Sequence, residues 1–111
     1  MPKALVDGPT QVFSMSEEEF YRSSQGKKDL YDLILSDADH GQAETWFDQS
    51  VQLLRDGGIL VYHDYANPNH PNLATIPGRA MSKELSFLCF ASSSRNDEAC
   101  ERGLLVIQKS L

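Results

Sequence analysis

The sequence predicts an α/β fold, a mainly parallel sheet flanked by helices and closed by an antiparallel hairpin, on three observations. Two short apolar runs, YDLILS at 31–36 and GILVY at 58–62, each end abruptly in acidic and imidazole residues. Between them Ala43, Trp46, Phe47, Val51 and Leu54 recur at the spacing of one helix face. The last two apolar runs, 85–91 and 103–108, are separated by a polar segment with no helical pattern. An apolar run bounded by polar residues reads as a strand buried on both faces, as in a parallel sheet. Strand, helix and strand with short joins form a βαβ unit, whose strands are parallel and whose crossover is right-handed. Consecutive strands with no helix between them read as an antiparallel hairpin at the sheet edge.

Taken in order, residues 4–13 are weakly strand-like and interrupted by Gly8 and Pro9. Ser16 followed by three glutamates fits a capping box, with acidic side chains at the positive end of a helix running to about Ser23. The polar turn at 25–29, with Lys27 and Lys28 solvated, leads into a strand at 30–36. The amphipathic helix spans 41–54, with Trp46 and Phe47 on its core face, and Asp56-Gly57-Gly58 ends it. A strand at 59–62 follows at once. The loop at 66–72 is rich in turn formers, including Asn67, His70 and Asn72, and sits beyond the second acidic strand end, a position from which loops cover ligands. A short helix is predicted at 78–84, then strands at 85–91 and 103–108.

At 111 residues the chain is one domain with room for a single core. A net charge of −6 argues against non-specific nucleic-acid binding, which needs clustered Lys and Arg. No apolar run approaches the roughly 18 residues that span a bilayer. The first residues lack the long apolar region of a secretory signal, so the expectation is a cytoplasmic protein. Cys89 and Cys100 have no metal-like spacing and read as reduced thiols.

In open α/β sheets, ligands bind beyond the carboxyl ends of the strands. Asp37, Asp39 and His40 follow the first clear strand, and His63, Asp64 and Tyr65 follow the second. Two neighbouring strands would thus bring carboxylates and imidazoles to one rim. Each of these residues also has a plainer reading, as a cap of the next turn or helix or as a partly buried strand histidine.

The stretch 31–40, YDLILSDADH, resembles the fourth strand of class I S-adenosylmethionine-dependent methyltransferases, usually written FDLIFIDADH. The stretch 54–64, LRDGGILVYHD, is similar to the fifth, typically LKPGGILVFHD. MSEEEF at 15–20 looks like the helix that precedes the fourth strand in small-molecule O-methyltransferases. The resemblance covers about residues 14–111 and implies the C-terminal half of that fold, a partial Rossmann-like sheet. By motif match it implies Asp37 and Asp64 as ligands of Mg²⁺, which would lower the pKa of substrate hydroxyls. It implies His40 as the general base, an imidazole suiting hydroxyl deprotonation. Asp39, His63 and Tyr65 are the candidate substrate contacts. His63 and Tyr65 flank Asp64 where metal-binding members often differ.

The resemblance implies S-adenosylmethionine as cofactor, yet the family's glycine-rich turn after its first strand has no counterpart here. The expectation is therefore an O-methyltransferase-like protein acting on a small-molecule hydroxyl once a complementing chain or a second copy completes it. A non-catalytic accessory subunit is the alternative. Either way the truncated sheet leaves one strand edge free for another chain. A receiver domain of signalling proteins shares the YDLILxD pattern, but Asp37 here is followed by Ala-Asp-His, and the only acid near the first apolar run is Asp7.

Overall fold

Ser16 starts the first element as the capping box predicts. Its hydroxyl accepts from the Glu19 amide at 3.1 Å, and three glutamates occupy the first turn of α1 (Glu17–Ser23). The structure, a computed structural model, describes residues 13–37, 42–63, 65, 71–91 and 103–111. The remaining elements are β1 (Tyr31–Ser36), α2 (Phe47–Leu53), β2 (Leu54–His63), a 3₁₀ turn (Pro71–Thr75), α3 (Ile76–Ser82), β3 (Ser86–Ala91) and β4 (Gly103–Gln108). The mixed α/β order is the one the sequence predicts.

The four strands form one sheet in the order β1-β2-β4-β3. β1 and β2 are parallel, while β4 runs antiparallel to both β2 and β3. The hairpin partner β4 therefore sits inside the sheet and β3 forms its edge. On the opposite side β1 is the last strand among the described residues.

One face carries the core. Leu60 and Tyr62 of β2 and Leu105 and Ile107 of β4 pack under Phe47 of α2, Leu73 of the 3₁₀ turn, and Ile76 and Ala80 of α3. Phe47 is fully buried, which contributes about 1.5–3 kcal/mol for a side chain of this kind. Arg79 of α3 lies over the Phe47 ring at 5.2 Å and bonds Asp48 at 3.2 Å, so it clamps α3 to α2. α1 joins this layer through Tyr21, whose ring stacks on Trp46 with centroids 5.1 Å apart. Ser50 gives its own hydroxyl proton to the Trp46 carbonyl at 2.8 Å, so Tyr21 is the donor in their 2.6 Å hydrogen bond.

Several expectations need correction. β1 is not buried on both faces, since Leu33 and Leu35 are 61% and 63% exposed. α2 is shorter than the predicted 41–54 span, because Trp46 has no side-chain cap to offer and only turn structure precedes it from Gln42. The helix ends at Leu53, ahead of the glycines, and β2 begins at Leu54, well before residue 59. Asp56-Gly57-Gly58 is therefore an irregularity within β2: its pairing with β1 jumps from Tyr31↔Leu54 to Leu33↔Ile59. Gly57 takes φ of +82° there. At Gly58 an added Cβ would meet the carbonyl oxygen of Arg55, in the same strand, at 2.8 Å and that of Asp32 on β1 at 3.2 Å. The third helix starts at Ile76, two residues early, because the 3₁₀ turn runs straight into it and Pro77 suits a first turn.

Candidate active site

Side chains alternate along a strand, so the residues opposite the core face can be read off the register. They are Leu33 and Leu35 of β1, Ile59, Val61 and His63 of β2, Leu104 and Val106 of β4, and Leu88 and Phe90 of β3. Asp37 continues the Leu33–Leu35 row one step past the strand. His63 ends the Ile59–Val61 row on β2.

The parallel register sets Ser36 against Tyr62, so the residues that follow, Asp37 and His63, come level at the carboxyl ends of both strands. Asp37 Oδ1 lies 2.9 Å from His63 Nδ1, with the carboxylate about half exposed and the imidazole one-third exposed. It is a close carboxylate–imidazole approach at the carboxyl ends of two neighbouring strands.

Tyr65 goes elsewhere. Its amide bonds the Gly103 carbonyl at 3.3 Å, and its phenol meets Cys89 of β3, across two intervening strands from Asp37. Burial and the Cys89 contact push the Tyr65 phenol above its ordinary value. His40, Asp39 and Asp64, the general-base, substrate and second metal-ligand expectations, lie outside the described residues, as do Asn67 and His70.

The sequence named Asp37 and His63 but gave them separate roles, metal ligand and substrate contact. Their pairing follows from strand register, which no local motif carries. Among the described residues no group of three or more His, Cys, Asp or Glu side chains could hold a metal ion. Asp37 offers one hard carboxylate already engaged by an imidazole, which is not a Mg²⁺ donor set by itself. The cofactor fares similarly. The positive-φ glycines among the described residues are Gly26, in the turn after α1, and Gly57, inside β2, and neither opens a helix onto the Asp37–His63 rim.

A hollow of about 440 Å³ runs beside the outer edge of β1, beneath the overhang of α1, lined by Phe13, Phe20, Tyr31, Leu33, Leu35 and Asp37 among others. It is mostly apolar and reaches the Asp37 end of the strand.

No family model matches this sequence, and no curated protein matches it. Solved structures do match its fold. The O-methyltransferase from Bacillus cereus in complex with SAH superimposes with a TM-score of 0.65 at 12% identity, over 83% of this chain and 47% of that one. Cofactor-bound Rv0187 from MTB gives 0.59 at 13% identity, over 85% of this chain and 46% of that one. The O-methyltransferase TomG from Streptomyces achromogenes, involved in tomaymycin synthesis and in complex with SAM, gives 0.52 at 12% identity, over 84% and 47%. This chain thus spans about half the length of the solved structures it matches, and what it shares with them is the fold of that half.

Proposed function

We propose that this chain is the substrate-side half of an S-adenosylmethionine-dependent O-methyltransferase acting on a small-molecule hydroxyl. The observation that carries the reading is the Asp37–His63 pair at the carboxyl ends of two parallel strands, in a fold shared with SAH- and SAM-bound structures. When bound, S-adenosylmethionine would supply an electrophilic methyl group. This chain's part is to position the substrate hydroxyl at the rim and to accept its proton.

His40 is the base implied by the motif, and His63 is the imidazole held by a carboxylate. Both belong to the proposed site. Asp37 acts on the reaction through His63, as a positioning residue. Coordination of a divalent cation by Asp37 and Asp64 would be a competing use of the same carboxylate, so no step here runs through a metal.

The test is methyl transfer from S-adenosylmethionine to a panel of small hydroxylated compounds, read as release of S-adenosylhomocysteine by the completed protein. Loss of activity in His40→Gln or His63→Gln, with the fold retained, supports the reading. Full activity in both variants would overturn the proton-transfer assignment.

The edge of β1, unpaired among the described residues, also favours a second reading, a non-catalytic accessory subunit. In that case Asp37→Ala would leave partner binding and every partner activity unchanged.

A further inference from the structure

The face of the sheet opposite the core carries a row of apolar side chains on every strand. Leu33 and Leu35 of β1 and Leu88 and Phe90 of β3 are more than half exposed, and Leu104 of β4 is 38% exposed. Phe47 of α2, Ile76 and Ala80 of α3 and Leu73 of the 3₁₀ turn lie in the core cluster on the other face, while α1 approaches this face at Tyr31, its Phe20 ring 6.2 Å from the tyrosine ring. Soluble monomers rarely expose contiguous apolar patches beyond a few hundred Å². The run LILS in β1 is patterned for a strand covered above and below, and only one cover is provided by the described residues.

We propose that this open face is the docking surface for a second polypeptide, a complementary half-domain that adds a parallel strand beside β1 and lays apolar-faced helices across Leu33, Leu35, Leu88 and Phe90. Two features select that occupant together. The edge of β1, unpaired among the described residues, borders an apolar hollow of about 440 Å³ beneath α1, which suits an inserted strand. The open face needs a layer of side chains from outside the sheet. A half-domain built of strands and helices meets both needs at once, and the solved structures of this fold contain about as much chain again.

A second copy meets only one need. Two β1 edges paired antiparallel about a twofold axis leave both open faces on the same side and bare. Two open faces packed together leave both edges free.

Asp37 and His63 project from this same face at its upper rim. The docked half-domain would therefore abut the pair and close the site over it. The inference deepens the proposed function and rests on that reading only for the site; the docking surface stands on the sheet alone.

The experiment places a photo-cross-linking residue at Leu35 in the full chain, expressed in its native cells. The control sits at Met81, exposed on α3 of the covered side. Adducts are identified by mass spectrometry, and the captured polypeptide is then co-purified with this chain. The expected result is an adduct, at Leu35 and not at Met81, with a polypeptide containing alternating strands and helices. It should form a 1:1 complex that the double variant Leu33→Lys, Leu35→Lys weakens roughly tenfold or more.

An adduct with a second copy of this chain, equal labelling from Met81, or no adduct at Leu35 would overturn the proposal. Because both substituted leucines are already exposed, the double variant should keep its circular dichroism spectrum. If it unfolds, the single variant Phe90→Lys on the far edge of the same face takes its place. Complex formation is read without cofactor. A complex that transfers no methyl group would overturn the enzymatic reading while leaving the docking surface intact.

Discussion

Asp37 and His63 come together at 2.9 Å because β1 and β2 are parallel and in register at Ser36↔Tyr62, so one residue beyond that pair the two side chains meet on the same face. Neither residue belongs to the buried core. The pair is held by the sheet and contributes little to holding it.

Asp37→Asn should therefore separate function from stability. Ion pairs this exposed contribute about 0–1 kcal/mol, so urea denaturation should shift by no more than that. Methyl transfer by the completed protein should fall by about 10²–10⁴-fold, the usual loss when a positioned acid–base group is disabled. A large stability loss with little change in rate would mean that the pair is structural.

Tyr21 and Tyr62 give a contrast within the core. The Tyr62 hydroxyl is buried with no hydrogen-bond partner among the described residues, whereas Tyr21 bonds Ser50 at 2.6 Å. Removing an unsatisfied buried hydroxyl relieves its desolvation cost, so Tyr62→Phe should be neutral or stabilising by about 1 kcal/mol. Tyr21→Phe should cost about 0.5–1.5 kcal/mol by orphaning an oxygen of Ser50. Chemical denaturation of both variants checks the sign of each.

The same two phenols predict alkaline instability. Burial pushes both above the ordinary tyrosine value of 10.0, with the hydrogen bond to Ser50 working the other way at Tyr21. A phenol with a raised folded pKa binds its proton more tightly folded than unfolded. Its stabilising contribution is complete below pH 10.0 and is lost as pH rises from there through the folded value. Stability measured against pH should fall above about 10 and should fall less steeply in Tyr62→Phe.

Two glycines, Gly58 in β2 and Gly26 in the turn after α1, should rank by what surrounds them. At Gly58 a Cβ would strike the Arg55 carbonyl oxygen of its own strand and crowd that of Asp32 on β1, so both the irregularity and its pairing with β1 would have to shift. Gly58→Ala should cost more than about 2 kcal/mol. At Gly26, with φ of +82° and nothing within 4 Å, Gly26→Ala should cost only the left-handed backbone term of about 1–2 kcal/mol. Thermal melting of the two variants tests the order.

What was legible in the sequence was mostly local. The Ser16 cap, the parallel pairing of the two acid-ended strands and the closing hairpin each follow from a few adjacent residues. The amphipathic pattern found α2 but overran it at both ends, because Ala43 is buried through a turn and Leu54 through a strand. Gly57 and Gly58 looked like a helix stop, yet they build an irregularity within β2, Gly57 by its positive φ and Gly58 by a crowded backbone that leaves no room for a Cβ. The rim residues were legible as a set, but the partnership of Asp37 with His63 depends on register. The apolar run in β1 was misread as buried because its pattern is that of a strand covered on both faces. The leucines carry that pattern whether or not the second cover belongs to this chain.

The most direct measurement is calorimetric titration of S-adenosylhomocysteine into this chain alone and into its 1:1 complex with the polypeptide captured at Leu35. Micromolar binding by the complex and none by the isolated chain is the predicted result. Micromolar binding by the isolated chain, or none by the complex, would contradict the claim that the open face and the Asp37–His63 rim are one half of a methyltransferase site.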